Sequence, residues 1–448
     1  ALHFYTAMLN RRSSVGSQCC SVTPCLSTHA TTWSTAVTPA GGTRRGAAKF
    51  INFALELYHM IGRYWGRKPV ELVKPYIAAY SREGEVVLDP FAGSGSIIAA
   101  ALSLKRRAIY NDLNPVALII AKGNLLKKET KVTLSKRYRD LYMIGGREVS
   151  YYLWEGERIV KAKLADGELI DYQGNDYEGE IPYPYPRDRL YYNNGKPFDK
   201  RGTINRVDEL FTRRNLLILS EILSEIPKDE KALAAFILIL YEASKMARLN
   251  HGSGGIPAYW IPYKHIEKNP YLLFEKALSR INKIGNSWAE GDVYGVLTGK
   301  ADVAFLNADA KNLPIPDKSV DLVVTDPPFF GEIQYFELSF LAAAWLNLRL
   351  DFDNEIVVNQ KRGKDEKMYL KELEKAIEEI HRVLKKGRRA VIMFHEESEE
   401  KVKAVREIIS SFFTIEKEDE AEMRQRNIGN RDTKRGRKLK IIVASAHS

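Results

Sequence analysis

Two short strings in this chain of 448 residues carry residue types that can do chemistry. The first is "VDLVVTDPPFF", Val320 to Phe330. Val320, Leu322, Val323 and Val324 make an apolar, β-branched run suited to a central parallel strand. Pro327 and Pro328 cannot donate to a sheet ladder, so the strand must end near Thr325 or Asp326. A carboxylate (Asp326), a rigid carbonyl (Pro327) and an aromatic ring (Phe329) are thereby held at a strand's C-terminal edge, where open α/β sheets bind ligands. The second string, "VVLDPFAGSGSIIAAAL", sets Gly93 and Gly95 between a strand and a helix. Glycines there let the backbone approach a nucleotide-like ligand and bare the first amides of the helix. A dinucleotide fingerprint needs a third small residue where Ile98 stands, and a P-loop needs the Gly-Lys-Ser/Thr that this string lacks. A tight turn explains the first string alone, and a helix-start turn the second. Together they point to a ligand site.

The elements that must position these residues alternate in type. "GEVVLD" reads as a strand, "SGSIIAAALSLK" as a helix, "AIYND" as a strand and "NPVALIIAKGNLL" as a helix. This βαβα order marks a parallel sheet with helical crossovers. It breaks off after Lys127 and resumes with "DVAFLNAD", "VDLVVTD", the helix pattern "YLKELEKAIEEIHRVLKKG" and the strand "RAVIMFH". A helix near Glu397 to Ser411 then leads to a closing hairpin, "FFTIEKE" with "LKIIVASA". Four segments are therefore expected: a disordered leader over 1–49, a first sheet part over 50–127, an insertion over 128–300 and a second sheet part over 301–448. The leader has no acidic residue before Glu56 and no sustained hydrophobic period. Within the insertion, "ADGEL" suggests small hairpins, and "RVDELFTRRNLLILSEILSEI" and "EKALAAFILILYEASKMARL" suggest two helices.

Composition narrows the partners. A net charge of +11 suits a polyanion such as nucleic acid. The basic, aromatic stretch Tyr183 to Arg201 and the stretch Arg424 to Lys440 are candidate contacts for it; solvated loops of the same composition are equally common. Cys19, Cys20 and Cys25 leave the rest of the chain without a thiol, which fits a reducing, cytoplasmic setting and no structural zinc. No apolar run is long enough to span a membrane.

The strings "DPFAGSG", "NDLNPVA" and "TDPPF" resemble the motifs of S-adenosylmethionine-dependent amino-methyltransferases, which modify the exocyclic amine of adenine or cytosine in DNA. The similarity extends to "RYWGRKP" and "IEEIHRVLKKGRRAVIMF", and within the insertion to large adenine-specific DNA methylases with a long insert. It implies an α/β fold: a Rossmann-like class I methyltransferase sheet, mostly parallel, with a closing antiparallel hairpin and a large α+β insertion. It assigns the cofactor S-adenosylmethionine to Asp89, Phe91, Gly93, Gly95 and Asp112, the last receiving both ribose hydroxyls. Asp309 would accept from the cofactor's adenine amine, and Tyr64 and Lys68 would flank its methionine end. Their bland alternatives are a turn cap at Asp309 and an ordinary basic helix start at Tyr64 and Lys68. The catalytic set is Asp326, Pro327, Pro328 and Phe329, with no metal; Phe329 stands where the family more often has Tyr. Double-stranded DNA with an extruded base is the implied partner, and a cognate restriction endonuclease is compatible with it. Asp before the two prolines favours adenine N6 as the acceptor. Cytosine N4, an RNA base, or binding without catalysis are the alternatives.

Overall fold

A strand covered by helices on both faces reads as a near-continuous apolar run, and Val320–Thr325 is buried at all six positions, its polar Asp321 and Thr325 included. The structure, a computed structural model, describes residues 70–198, 203–248, 259–395, 398–423 and 437–447. Before the insertion come α1 (Val70–Tyr80), β1 (Val86–Asp89), α2 (Ser96–Ser103), β2 (Arg107–Asn111) and α3 (Pro115–Leu125). The insertion holds β3 (Met143–Ile144), β4 (Arg147–Glu155), β5 (Arg158–Leu164), β6 (Leu169–Gly174), α4 (Arg213–Glu225), α5 (Glu230–Leu240), β7 (Lys264–Lys268) and α6 (Pro270–Ile281). Then follow β8 (Glu290–Gly291), α7 (Val293–Thr298), β9 (Val303–Leu306), β10 (Val320–Thr325), α8 (Tyr335–Trp345), α9 (Glu366–Val383), β11 (Leu384–His395), α10 (Glu399–Phe412), β12 (Phe413–Met423) and β13 (Arg437–Ala446).

The main sheet has eight strands in the order β12-β13-β11-β10-β1-β2-β9-β8. Every pairing from β8 across to β11 is parallel, and β13 alone runs antiparallel to its neighbours β11 and β12. This is the mostly parallel Rossmann-like sheet, closed by an antiparallel hairpin, that the motifs imply. Alternation sends side chains to two cores. Val86, Leu88, Val320 and Val323 pack with Tyr369, Leu373 and Ile380 of α9. Val87, Leu322 and Val324 pack with Val73 and Ile77 of α1 and Ile97 to Leu102 of α2. Helix α9 is capped by Asp365, whose side chain accepts from the Met368 amide. It stops at Val383, short of the expected Gly387, because Leu384 already pairs with Val320 of β10.

The insertion forms its own antiparallel sheet, β3-β4-β5-β6, with β7 paired to β4. Its helices share one core with Val116 and Ile120 of α3 and with Leu341 and Trp345 of α8. The two apolar helix patterns thus cover the methyltransferase-type layers. Residues 290–298, within the range expected for the insertion, belong to the main sheet as β8 and its neighbour α7, since β8 pairs parallel to β9.

A buried ion pair ties the insertion's helices to its strands. Arg214 Nη1 on α4 donates to both oxygens of Glu267 on β7, at 3.1 and 2.9 Å. Thr212 Oγ1 and Trp154 Nε1 donate to the same carboxylate at 2.8 and 2.7 Å. The two side chains are 8% and 1% exposed. Breaking such a pair leaves a buried charge without compensation. Arg214→Ala should therefore lower the unfolding free energy by about 3–5 kcal/mol in urea titrations. The double change Arg214→Met, Glu267→Leu should recover most of that loss; failure to recover would mean that packing, not charge, dominates there.

Candidate active site

Strands β1 and β10 lie side by side, and the chain leaves them toward opposite edges of the sheet. The crevice at such a switch point is where open α/β sheets hold ligands. Register puts Leu88 opposite Val323, so the two sequence motifs emerge together at the same edge. Thr325 Oγ1 donates to Asp89 Oδ1 at 2.7 Å and fastens one motif to the other. The Phe91 amide donates to the same oxygen at 3.1 Å and turns the glycine loop back over the strand end.

The loop itself is shaped by its glycines. Gly93 and Gly95 have φ of 50° and 84°, in the left-handed region where a Cβ is strained. A Cβ on Gly95 would also lie 2.9 Å from Leu125 Cδ1, so α3 can pack closely against the start of α2. The Gly93 amide donates to Asp112 Oδ2 at 2.7 Å, and the Asn114 amide to Asp112 Oδ1 at 2.8 Å. Asp112 thus joins the loop after β1 to the start of α3, and each of its oxygens keeps a lone pair for a ligand. Tyr110 donates to the Gly93 carbonyl at 2.7 Å. Asn111 Nδ2 bridges the Pro90 and Ala308 carbonyls at 3.0 Å each, bracing the loops after β1 and β9.

These loops surround a cleft of about 800 Å3, counting the part open to solvent. Asp89, Asp112, Asp309, Asp326 and Glu355 line it, and among the described residues no lysine or arginine does. Burial pushes the Asp89 carboxyl up to about 8; bonds from Thr325 and Phe91 oppose this, and the nearby Asp326 and Asp112 add to it. Burial likewise raises Asp112 to about 6, against the pull of the Asn114 and Gly93 amides. The Tyr335 phenol is raised by burial and then by Asp326, Asp112 and Glu355.

Asp89, Phe91, Gly93, Asp112, Asp309, Asp326 and Pro328 all line this one cleft. Gly95 shapes the loop from behind. Asp309 accepts from the Lys311 amide at 2.9 Å and pairs with Lys311 Nζ at 3.2 Å, so it is a turn cap as well as a wall. Pro327 is buried beneath the wall, and the Pro328 carbonyl accepts from Tyr369 OH at 2.9 Å. Phe329 does not line the cleft: its ring is stacked on Phe394 at 5.1 Å and 9°. Tyr64 and Lys68 lie outside the described residues. Sequence reasoning missed Tyr335, Asn354, Glu355 and Ile356, all of which line the cleft. Tyr335 opens the first helix after the two prolines, and that position was its available signal.

A family model described as DNA methylase, of the N6/N4 type, matches residues 28–123. That stretch is similar to the N6/N4 DNA methylases. It holds the glycine loop and Asp112, and it begins inside the segment expected to be a leader. The type II methyltransferase M.Cfr9I of Citrobacter freundii is 35% identical over 71 residues, 16% of this chain and 24% of that protein. The chain therefore spans about a quarter of the length of that curated relative. Among solved structures, TrmN from Thermus thermophilus covers 88% of this chain and 53% of its own, at 11% identity and a TM-score of 0.29. A TehB-like SAM-dependent methyltransferase from Corynebacterium glutamicum covers 90% and 96%, at 9% identity and a TM-score of 0.28. At such scores the likeness is slight, and the fold rests on the strand order. The cofactor that goes with this family is S-adenosylmethionine. The cleft fits it, because a ligand with a net positive charge meets carboxylates and, among the described residues, no lysine or arginine in the wall.

The raised carboxyls fix the sign of a pH effect. Folding favours their protonated forms, so the stability they contribute is whole below about pH 4, the ordinary aspartate range. It is lost as pH rises past about 6 for Asp112 and about 8 for Asp89. The ligand-free protein should be less stable in urea at about pH 8.5 than at about pH 5.5, with Asp89 contributing at most ~1.4 kcal/mol per pH unit. Asp89→Asn should flatten the upper part of that slope; an unchanged slope would show that the Asp89 carboxyl titrates elsewhere.

Proposed function

We propose that this protein transfers a methyl group from S-adenosylmethionine to the exocyclic amine of a base in DNA, with adenine N6 as the acceptor. The observation that carries the reading is that Asp326 and the glycine loop line the same cleft at the sheet's switch point. When bound, S-adenosylmethionine supplies a methyl group on a sulfonium.

The chain's own residues do the rest by position and charge. The Gly93 turn and the bare start of α2 receive the cofactor's backbone-facing side, and Asp112 accepts from its ribose hydroxyls. An aromatic exocyclic amine is a weak nucleophile because its lone pair is delocalised into the ring. Asp326 and the carbonyl after it accept the amine's hydrogens, which holds the lone pair toward the methyl and offsets charge developing on nitrogen. Pro327 and Pro328 keep that acceptor geometry rigid. The carboxylates that stay ionised in this wall favour a cationic ligand over its neutral product, so the used cofactor is held less well. A base extruded from the duplex stacks on Phe329 only if the ring offers its free face or leaves Phe394; base–aromatic stacking is worth ~1–3 kcal/mol.

DNA enters through the insertion. Arg187, Arg189 and Lys196 are exposed, and the two guanidinium groups lie over the Tyr185 and Tyr191 rings at 5.0 and 4.6 Å. Such groups neutralise phosphates while tyrosines offer stacking faces. Lys200, Arg201 and most of Arg424 to Lys440 lie outside the described residues. An aspartate before the two prolines supports adenine, as the motif resemblance implies. Digestion of DNA methylated by the purified protein, followed by mass identification of the modified base, separates N6-methyladenine from N4-methylcytosine. An unmodified digest would overturn the reading.

Asp326→Ala should abolish methyl transfer while calorimetry shows cofactor binding nearly intact. Asp112→Ala should do the reverse in emphasis, weakening cofactor binding by ~1.5–3 kcal/mol through loss of a charged acceptor. Near wild-type transfer by the first variant, or unchanged cofactor affinity in the second, would remove that residue from its role. Charge-neutral changes at Arg187, Arg189 and Lys196 should weaken DNA binding and shrink its salt slope by roughly one unit per lost phosphate contact. An unaltered slope would move recognition to another part of the chain.

A further inference from the structure

One wall of the cleft is held by a chain of buried polar side chains that ends in the insertion. Glu355 lines the cleft; its Oε1 accepts from the Phe336 amide at 3.2 Å, and its Oε2 from Arg362 Nη1 at 2.5 Å. The same Nη1 lies 3.9 Å from Glu337 Oε1 on α8. Glu337 Oε1 in turn accepts from Tyr192 OH at 2.6 Å and from Asn359 Nδ2 at 2.8 Å. The Arg362, Glu355 and Glu337 side chains are 6%, 5% and 8% exposed.

Tyr192 belongs to the insertion, in the turn that follows Arg187 and Arg189. It does not line the cleft. The turn is docked firmly: Asn194 Nδ2 donates to the Lys361 carbonyl at 2.7 Å, and Lys361 Nζ donates to the Pro197 and Phe198 carbonyls at 2.7 and 2.9 Å. The Phe198 ring meets Tyr192 at 4.7 Å and Phe340 at 4.9 Å.

Two carboxylates here share one guanidinium. Glu337 Oε2 and Arg362 Nη2 are both buried without a hydrogen-bond partner, although their residues adjoin. Buried polar atoms left unmatched in this way call for an explanation, and a second arrangement supplies one. Turning Arg362 onto Glu337 would satisfy both atoms and leave Glu355, whose carboxyl burial already pushes up to about 7, without its guanidinium on the cleft wall, where an entering cation would become its counter-charge. The bonds donated by Tyr192 and Asn359 stabilise an ionised Glu337 without Arg362, and so keep Arg362 on Glu355.

We propose that Tyr192 is a positioning residue for the cleft: acting through Glu337 and Arg362, it sets the charge that Glu355 presents to the cofactor. The proposal rests on the reading of the cleft as an S-adenosylmethionine site. It makes an insertion residue, one that touches neither cofactor nor acceptor, a determinant of how well the cationic cofactor is preferred over its neutral product.

The test is calorimetry of S-adenosylmethionine and S-adenosylhomocysteine with the full chain. Tyr192→Phe removes only the hydroxyl and keeps the ring among its aromatic neighbours. It should raise the preference for the cation over the neutral product by roughly 5-fold or more, the lower end of ordinary coupling between sites. The shift should vanish when Glu355→Gln is added. Glu337→Gln, which leaves Arg362 to Glu355 alone, should move the preference the other way and serves if Tyr192→Phe does not fold. A merely structural role for Tyr192 would change thermal stability and both affinities together, leaving their ratio constant. A constant ratio in a chain that binds both ligands overturns the coupling alone. A wild-type chain that binds neither overturns the cofactor reading, and the coupling with it.

Discussion

The hydrogen bond from Thr325 Oγ1 to Asp89 Oδ1 is the joint on which the site depends. It spans the switch point of the sheet, where β1 and β10 meet and their chains part. One partner ends the strand before the glycine loop; the other ends the strand before the two prolines. The same Asp89 oxygen also receives the Phe91 amide, so a single atom sets both the turn of the loop and its distance from Asp326. Burying Asp89 to 1% exposure is costly for a carboxylate, and two donors offset only part of that cost. A buried acid whose carboxyl is raised this far marks a place where geometry is kept at the expense of stability.

Much of this was legible in the primary structure, for physical reasons. Strands buried on both faces must be continuous apolar runs, so β1 and β10 stand out; proline and glycine punctuate their ends. Asp112 was legible because it follows a strand at the distance a crossover helix imposes, and the cleft does include it. Glu355 and Asn354 were not, since they sit in an irregular segment with no period to place it. Their position comes from Arg362, Lys364 and Asn359, which fold that segment against α8 through bonds that no local pattern announces. Phe329 shows the opposite case. Its neighbours in sequence suggest an exposed ring, but Phe394 at the end of β11 offers a parallel face, and stacking there takes it out of the cleft wall.

The insertion divides along the same line between pattern and packing. Its two apolar helices read correctly as helices, yet their burial against α3 and α8 makes them a structural layer and not a free recognition module. Among the described residues of the insertion, the irregular, basic and aromatic turn around Arg187 to Lys196 is exposed and docks beside α8, which supports it as the contact for a partner. Loops carry recognition because they can present side chains without also filling a core, and here the core has been supplied by other residues.

The cleft's surplus of acid gives the arrangement its direction. Asp326 and Asp112 add to the burial that raises Asp89, and Asp326, Asp112 and Glu355 add to the burial that raises Tyr335, so acids in the wall disfavour one another's charged forms at these two groups. Arg362 and Lys311 relieve part of this from behind, each paired to one wall carboxylate. A ligand that brings positive charge would relieve the remainder from the front. A cation that enters draws down the raised Asp89 and Asp112 carboxyls and so releases protons as it binds, whereas a neutral ligand does not. The wall thus carries an electrostatic preference that would distinguish a charged cofactor from a used one, and the fold bears that preference as lost stability.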